Sequence, residues 1–319
     1  MTAKSVATAG LLVVLVSGVP LSASADSSSC GRTTCRGAIR GCQLITCGTL
    51  RGAARGACKR SCTQNAIAAC NGGAPSCGAA LPTGSPSIGV RYVFSHDSST
   101  SGFDIEVQTG FDVLDSGPDP SVLGSLLPGT KALVWLGNYD NSTCDWEQSD
   151  DAIRADVGAI AGNPNVAGYY IADEPHIWDC PNAPAQMKAR SDLVKSLDPN
   201  PPTLVAIEPH DPGNPYTPYV GTADVLGVER YPCTKDDGCV LSKIDDQVAL
   251  AEQAGVPHYW ALIQAFGDSF YSLPTAEELH GEFQHWRASR MEGYLVFTWS
   301  RKLERKGDLL RALEAENTQ

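Results

Sequence analysis

After residue 87 the apolar positions gather into short runs separated by amphipathic stretches. The runs are Ile88–Phe94, Phe111–Leu114, Ala132–Leu136, Val166–Ala172, Thr203–Ile207, Val225–Val228, His258–Ile263 and Gly293–Trp299. They are rich in valine, tyrosine and other β-formers and too short for buried helices, so they read as buried strands. Between them, residues 152–161, 184–197, 241–254 and 275–290 carry helical patterning, and 308–316 follows the last run. Capping chemistry marks several starts: Ser149 ahead of Asp150 and Asp151, Ser242 ahead of Asp245, and Thr275 ahead of Glu277 and Glu278. Repeated strand–helix units imply parallel pairing, because parallel strands need a crossover. Eight units over residues 88–319 predict an α/β fold of the (β/α)8 barrel type. The competing open, doubly wound sheet lacks its Gly-x-Gly-x-x-Gly turn after the first run.

The residues before 88 follow other rules. Residues 1–25 hold one charge, Lys4, an apolar run from Leu11 to Val16, and Ala23-Ser-Ala25, which reads as a secretory leader cleaved after Ala25. That run is too short to span a bilayer, and no later segment is long and apolar enough, so a secreted protein is expected. Twelve cysteines agree with an oxidising compartment. Eight of them crowd between Cys30 and Cys77, with no histidine before His96, which favours disulfides over zinc. Residues 26–80 have few large apolar side chains, and Cys58, Cys62 and Cys70 fall on one helical face. A small, mainly helical module stapled by bridges is the reading, with residues 81–87 as a Gly/Pro linker. In the later loops, Cys144 with Cys180 and Cys233 with Cys239 are the expected pairs.

Charge divides along the same boundary. The module carries seven basic residues against Asp26 alone, whereas residues 81–319 carry 16 basic and 35 acidic residues within a net charge of −12. An acidic main domain excludes nucleic acid as its substrate. The basic module is either a solvated face or a patch for an anionic cell surface.

In a barrel of this type, chemistry sits where strands end. Here the strand ends carry Ser95-His96-Asp97, Asn138-Tyr139-Asp140, Asp173-Glu174-Pro175, Glu208-Pro209-His210, Glu229-Arg230-Tyr231 and Gln264-Ala-Phe266. Strand alternation turns Glu174 inward with Tyr170 and Ala172, Glu208 with Ala206, Glu229 with Gly227, and Gln264 with Leu262. It turns Asp173 outward with Ile171. Three glutamates from adjacent strands over one mouth would supply the acid and the carboxylate that glycosidic cleavage needs. Crowding of like charges would keep one of them protonated. His96, Asn138, Asp173, Tyr231, Gln264, Phe266 and Trp299 are the candidate substrate contacts, with a carbohydrate as the partner. No metal or cofactor is expected. The sequence has no His-Glu-x-x-His and no Gly-x-Ser-x-Gly, and Asp97, Glu208 and His210 match no metal motif. Asn141-Ser-Thr is a glycosylation sequon where the source glycosylates.

The segment Gly168-Tyr-Tyr-Ile-Ala-Asp-Glu-Pro resembles the fourth-strand signature of clan A glycoside hydrolases, whose Asn-Glu-Pro carries the acid/base glutamate. The resemblance implies Glu174 as general acid, with Asp173 where the clan has asparagine. Trp260-Ala-Leu-Ile-Gln-Ala-Phe-Gly resembles the clan's seventh strand, but Gln264 stands where the nucleophile glutamate belongs. Together with Leu273-Pro-Thr-Ala-Glu-Glu-Leu and Gly293-Tyr-Leu-Val-Phe-Thr-Trp, the pattern over residues 88–300 is similar to uncharacterised secreted glycosidase-like barrels. An amide cannot form a glycosyl ester. The sequence therefore leaves two readings: a glycosidase using Glu229, or less favourably Glu208, as second carboxylate, or a barrel that binds glycans without cutting them.

Overall fold

The computed structural model describes residues 39, 43, 47, 52–71, 90–95, 103–209 and 214–319. The leader, the linker, most of the cysteine-rich module, His96, Asp97 and His210 lie outside these described residues.

Gly52–Asn71 form α1, a helix where the sequence pattern predicts one. A Cys47–Cys58 disulfide fastens it, and Cys62 is buried and also disulfide-bonded. The helix sequence holds few large apolar side chains, so covalent bridges stand in for a core.

All eight apolar runs form strands: β1 (Val90–Ser95), β2 (Val113–Ser116), β3 (Lys131–Trp135), β4 (Val166–Asp173), β5 (Thr203–Ile207), β6 (Val225–Glu229), β7 (Tyr259–Gln264) and β8 (Gly293–Trp299). They pair in parallel in the ring β1-β8-β7-β6-β5-β4-β3-β2, which closes on itself. The crossovers include α2 (Phe103–Gln108) and α3 (Pro120–Gly124), each too short to leave a periodic signal. The longer ones are α4 (Asp150–Ile160), α5 (Ala183–Leu197), α6 (Ser242–Ala254) and α7 (Ala276–Arg287). A 3-10 turn, Thr217–Tyr219, lies between β5 and β6, and α8 (Arg301–Glu304) and α9 (Gly307–Asn317) follow β8.

The helix caps follow the sequence at two of three places. Ser149 caps α4 by accepting from Ala152 N, and Thr275 forms a reciprocal capping box with Glu278 on α7. At α6 the helix starts one residue earlier than a Ser242 cap implied. Leu241 is the N-cap and Ser242 lies inside the first turn, so that cap is corrected.

Two buried shells hold the barrel. An inner cluster includes Tyr92, Leu133, Tyr170, Leu204, Trp260 and Leu262, and an outer one packs strands against helices through Tyr169, Ile171, Val228, Phe283 and Trp286. Each fully buried aliphatic or aromatic side chain contributes about 1.5–3 kcal/mol. The inner ring is tight below the mouth. A Cβ on Gly227 would lie 2.9 Å from Leu262 Cδ1 and 3.0 Å from Ala206 Cα, so only glycine lets β5, β6 and β7 close beneath Glu229.

Candidate active site

A cavity of about 240 Å3 opens at the carboxyl ends of the strands. Its wall includes Asp173, Glu174, Glu208 and Glu229, from the ends of the adjacent strands β4, β5 and β6. The three glutamates read from the sequence are therefore together, and a fourth carboxylate joins them.

Asp173 is the first correction. Alternation sends it outward, but the β4–β5 register slips: Tyr170 pairs with Leu204 and Ala172 with Val205. One extra residue in β4 leaves both Ile171 and Ala172 in the outer shell and returns Asp173 to the inside, opposite Ala206. There it accepts a 2.6 Å hydrogen bond from the Tyr170 hydroxyl. Glu174, immediately after, takes a left-handed backbone with φ of 48°, a costly conformation for a glutamate. The surroundings hold it: its N–H donates to Ala206 O at 3.1 Å, and Asn141 Nδ2 donates to its carbonyl at 2.8 Å. Asn141 Oδ1 also accepts from His176 N, so the sequon's amide is spent on fixing this turn.

The expected bridge between Cys144 and Cys180 is present, with Cα atoms 5.3 Å apart, and ties the β3 and β4 loops that carry Asn141 and Glu174. Asn138 backs the same turn. Its Oδ1 accepts from Asp173 N at 3.0 Å and from Tyr139 N at 2.8 Å, which makes it a support behind the cavity rather than part of its wall.

Glu229 is 5% exposed and lies within hydrogen-bonding reach of Glu174. Burial, then the charges of Glu174 and Asp173, push its carboxyl well above the ordinary range. Burial therefore favours the neutral form of Glu229. Asp173 is pushed up to about 6, chiefly by burial, with the Tyr170 hydrogen bond working in the other direction. Glu208 faces the same space, and His176 Nε2 lies 3.0 Å from its Oε1. The His176 ring stacks on Trp178 at 4.2 Å, and its Nδ1 is 3.1 Å from Asp179.

Tyr231 and Phe266 line the cavity as expected, joined by Phe94, Tyr271 and Phe297. Tyr271 was missed because it sits seven residues past the end of β7, on a returning loop whose path no local pattern announces. Two other expectations are corrected. Trp299 belongs to the outer shell, edge-on to Phe111 at 6.2 Å, with its indole N–H on Glu304. Between Val93 and Ser95 of β1, the partner strand β8 advances from Val296 to Trp299, and this extra residue reverses the facing of Trp299.

Gln264 is 0% exposed and lies outside the cavity wall. Its amide accepts from Cys233 N at 2.9 Å and donates to Cys233 O at 3.0 Å and Ser272 O at 2.9 Å. From below, Glu282 on α7 accepts its main-chain N–H at 2.7 Å. Gln264 clasps the β6 and β7 loops, which carry Tyr231, Phe266 and Tyr271. The Cys233–Cys239 disulfide, also expected, closes the first of those loops.

Among the described residues the cysteine groups close enough for a metal are all disulfide-bonded, and no helix is long and apolar enough to cross a membrane.

No protein-family model matches the chain. No curated protein matches it either. Solved structures do. GH5_18 from Streptomyces cattleya in complex with GlcNAc is similar at 14% identity over 72% of this chain and 80% of its own, with a TM-score of 0.50. A GH128 (subgroup I) endo-beta-1,3-glucanase from Amycolatopsis mediterranei follows at 14% identity, 71% and 99% coverage and a TM-score of 0.48. A glycosyl hydrolase family 2 member from Bacteroides cellulosilyticus DSM 14838 is similar at 14% identity over 66% of this chain, with a TM-score of 0.44. This chain spans only 28% of that protein. At these identities the likeness is one of fold: the chain is an α/β protein with a (β/α)8 barrel, an architecture it shares with glycoside hydrolases.

Proposed function

We propose that the barrel is a secreted glycoside hydrolase that cleaves O-glycosidic bonds with the carboxyl pair Glu174 and Glu229. The observation that carries this reading is the pair itself: two acidic side chains in hydrogen-bonding reach, one pushed toward its neutral form, inside an aromatic-lined cavity. Glycosidic cleavage asks for one proton donor and one carboxylate at such a place.

With Glu229 the more deeply buried and pushed toward its neutral form, it is the proton donor in this reading, and the roles run opposite to those the strand-four resemblance implies. Glu229 gives its proton to the leaving oxygen as the bond to the anomeric carbon breaks, and the Glu174 carboxylate forms a bond to that carbon. Glu229, now ionised, then takes a proton from water as the water oxygen displaces Glu174, which restores both groups. Inverting enzymes part their carboxyls by roughly 6.5–9.5 Å to seat a water, whereas retaining pairs stand at about 5–5.5 Å. A pair in contact favours retention. Glu208 is the reserve carboxylate, engaged with His176.

The binding-only reading drew its strength from Gln264, and that residue has its amide committed to the loops. The lost seventh-strand carboxylate leaves the cavity with a pair all the same.

Aryl glycosides with good and poor leaving groups test the roles. Glu229→Gln is expected to slow hydrolysis by about 10²–10⁴ for poor leaving groups and far less for good ones, since a good leaving group needs no proton. Glu174→Gln is expected to stop both. Full activity of either variant on poor leaving groups would overturn the assignment.

A further inference from the structure

The two-carboxylate reading uses Glu174 and Glu229 and leaves Asp173 and Glu208 in the wall with no part in bond cleavage. Asp268 adds a further carboxylate at the rim, where its Oδ1 also accepts from Phe270 N and Tyr271 N. Among the described residues no lysine, arginine or histidine lines this cavity. Arg230 comes near enough to influence the Tyr216 and Tyr271 hydroxyls but is not in the wall. His176 pairs with Glu208 and is not in the wall. Among the described residues Asp173 accepts its side-chain hydrogen bond from a neutral hydroxyl, that of Tyr170.

The same mouth carries a band of aromatic rings. Phe94 on β1 and Phe297 on β8 lie 5.3 Å apart, Tyr231 contacts Phe266 at 4.9 Å, and Phe266 contacts Tyr271 at 5.2 Å. In the ring of strands β1 and β8, which carry Phe94 and Phe297, lie across from β4 and β5, while Tyr231, Phe266 and Tyr271 continue the aromatic wall from β6 and β7. Ring faces and carboxylates share one preference, for a cation. Placing an acid such as Asp173 in a partly dry wall with a neutral donor costs free energy, and an incoming positive charge offsets that cost. A uronate, sulfate or phosphate would meet like charge on one side and a ring quadrupole on the other, so the same wall selects against anionic sugars.

We propose that the substrate is an amino sugar with a free, protonated amine, in an oligomer or polymer of hexosamine units, with Asp173 as the residue that reads the charge. This inference rests on the glycosidase reading for its sugar and on the cavity wall for its cation.

The test compares glucosamine oligomers with their N-acetylated counterparts, neutral gluco-oligosaccharides and oligogalacturonates on the full chain. Binding by calorimetry and release of reducing ends are both recorded at about pH 6.5, where the amine carries substantial positive charge and Asp173, pushed up to about 6, is mostly ionised. Binding of the glucosamine oligomer at least about tenfold tighter than its acetylated form is expected, with that ratio falling as salt rises. Asp173→Asn keeps an acceptor for Tyr170 but no charge, and is expected to shrink the ratio by about fivefold or more. Equal or tighter binding of the acetylated, neutral or uronic oligomers would overturn the inference and leave the glycosidase reading standing. Tight glucosamine binding without release from any oligomer would do the reverse. A ratio unchanged in Asp173→Asn would remove Asp173 as the discriminating residue.

Discussion

Gln264 carries the sharpest lesson about single residues. A sequence comparison places it where a nucleophile belongs, and restoring a glutamate there looks like a gain. The structure argues for a loss. Gln264→Glu removes both N–H donors that hold Cys233 O and Ser272 O, and it buries a carboxylate beside Glu282. We expect a destabilisation of about 2–4 kcal/mol in urea unfolding and no rise in turnover. An amide in a strand-end position looks the same in sequence whether it touches a ligand or a loop, because its acceptors lie on the β6 loop and at the far end of its own. Asp173 is the second residue to watch. Its carboxyl titrates at about 6 in the fold, above the unfolded value near 3.9, so the folded chain holds more protons across that window. Stability therefore falls as pH rises from about 4 through about 6, and the slope from Glu229 has the same sign. Asp173→Asn is expected to flatten this part of the curve and to raise stability at pH 8 by up to about 3 kcal/mol, read as the urea midpoint over a pH series.

At the scale of elements, the eight strands were legible because strands buried on both faces spell themselves as unbroken apolar runs. The long crossover helices were legible by period, and α4 and α7 by their caps. The short α2 and α3 were not, since five or six residues complete too few turns to show a period. What alternation could not reveal were the two places where a strand gains a residue, at Ile171–Ala172 and before Trp299. Each flips the facing of everything after it, so one hid Asp173 and the other promoted Trp299. The three glutamates survived this because Glu208 and Glu229 end strands free of such slips, while at Glu174 the left-handed turn follows the slip and returns the side chain to the cavity. The β3 and β4 loops depend on a covalent tie. Removing the bridge that spans 36 residues, as Cys144→Ser with Cys180→Ser, is expected to cost about 2–4 kcal/mol, seen as a lowered melting temperature. At the helix scale, Thr275→Ala breaks the capping box of α7 and is expected to cost about 1 kcal/mol.

For the whole molecule, charge and fold point the same way. An acidic barrel with five carboxylates at one mouth follows a basic, cysteine-rich stretch of sequence. We propose that this module is a separate unit over residues 26–80 and that its arginines hold the enzyme at an anionic surface, while the barrel handles sugar of the opposite sign. The barrel architecture is shared with glycoside hydrolases, but the claim specific to this chain is that Glu174 and Glu229 act together as acid and carboxylate. The most direct measurement is the release of new reducing ends from a panel of plant, algal and microbial oligosaccharides, by the wild-type chain and by the Glu174→Gln, Glu229→Gln double variant. The account predicts release by the wild type from at least one member and none above background by the variant, with sugar binding retained. Release by both at the same rate, or binding by both with no release across the panel, would contradict it.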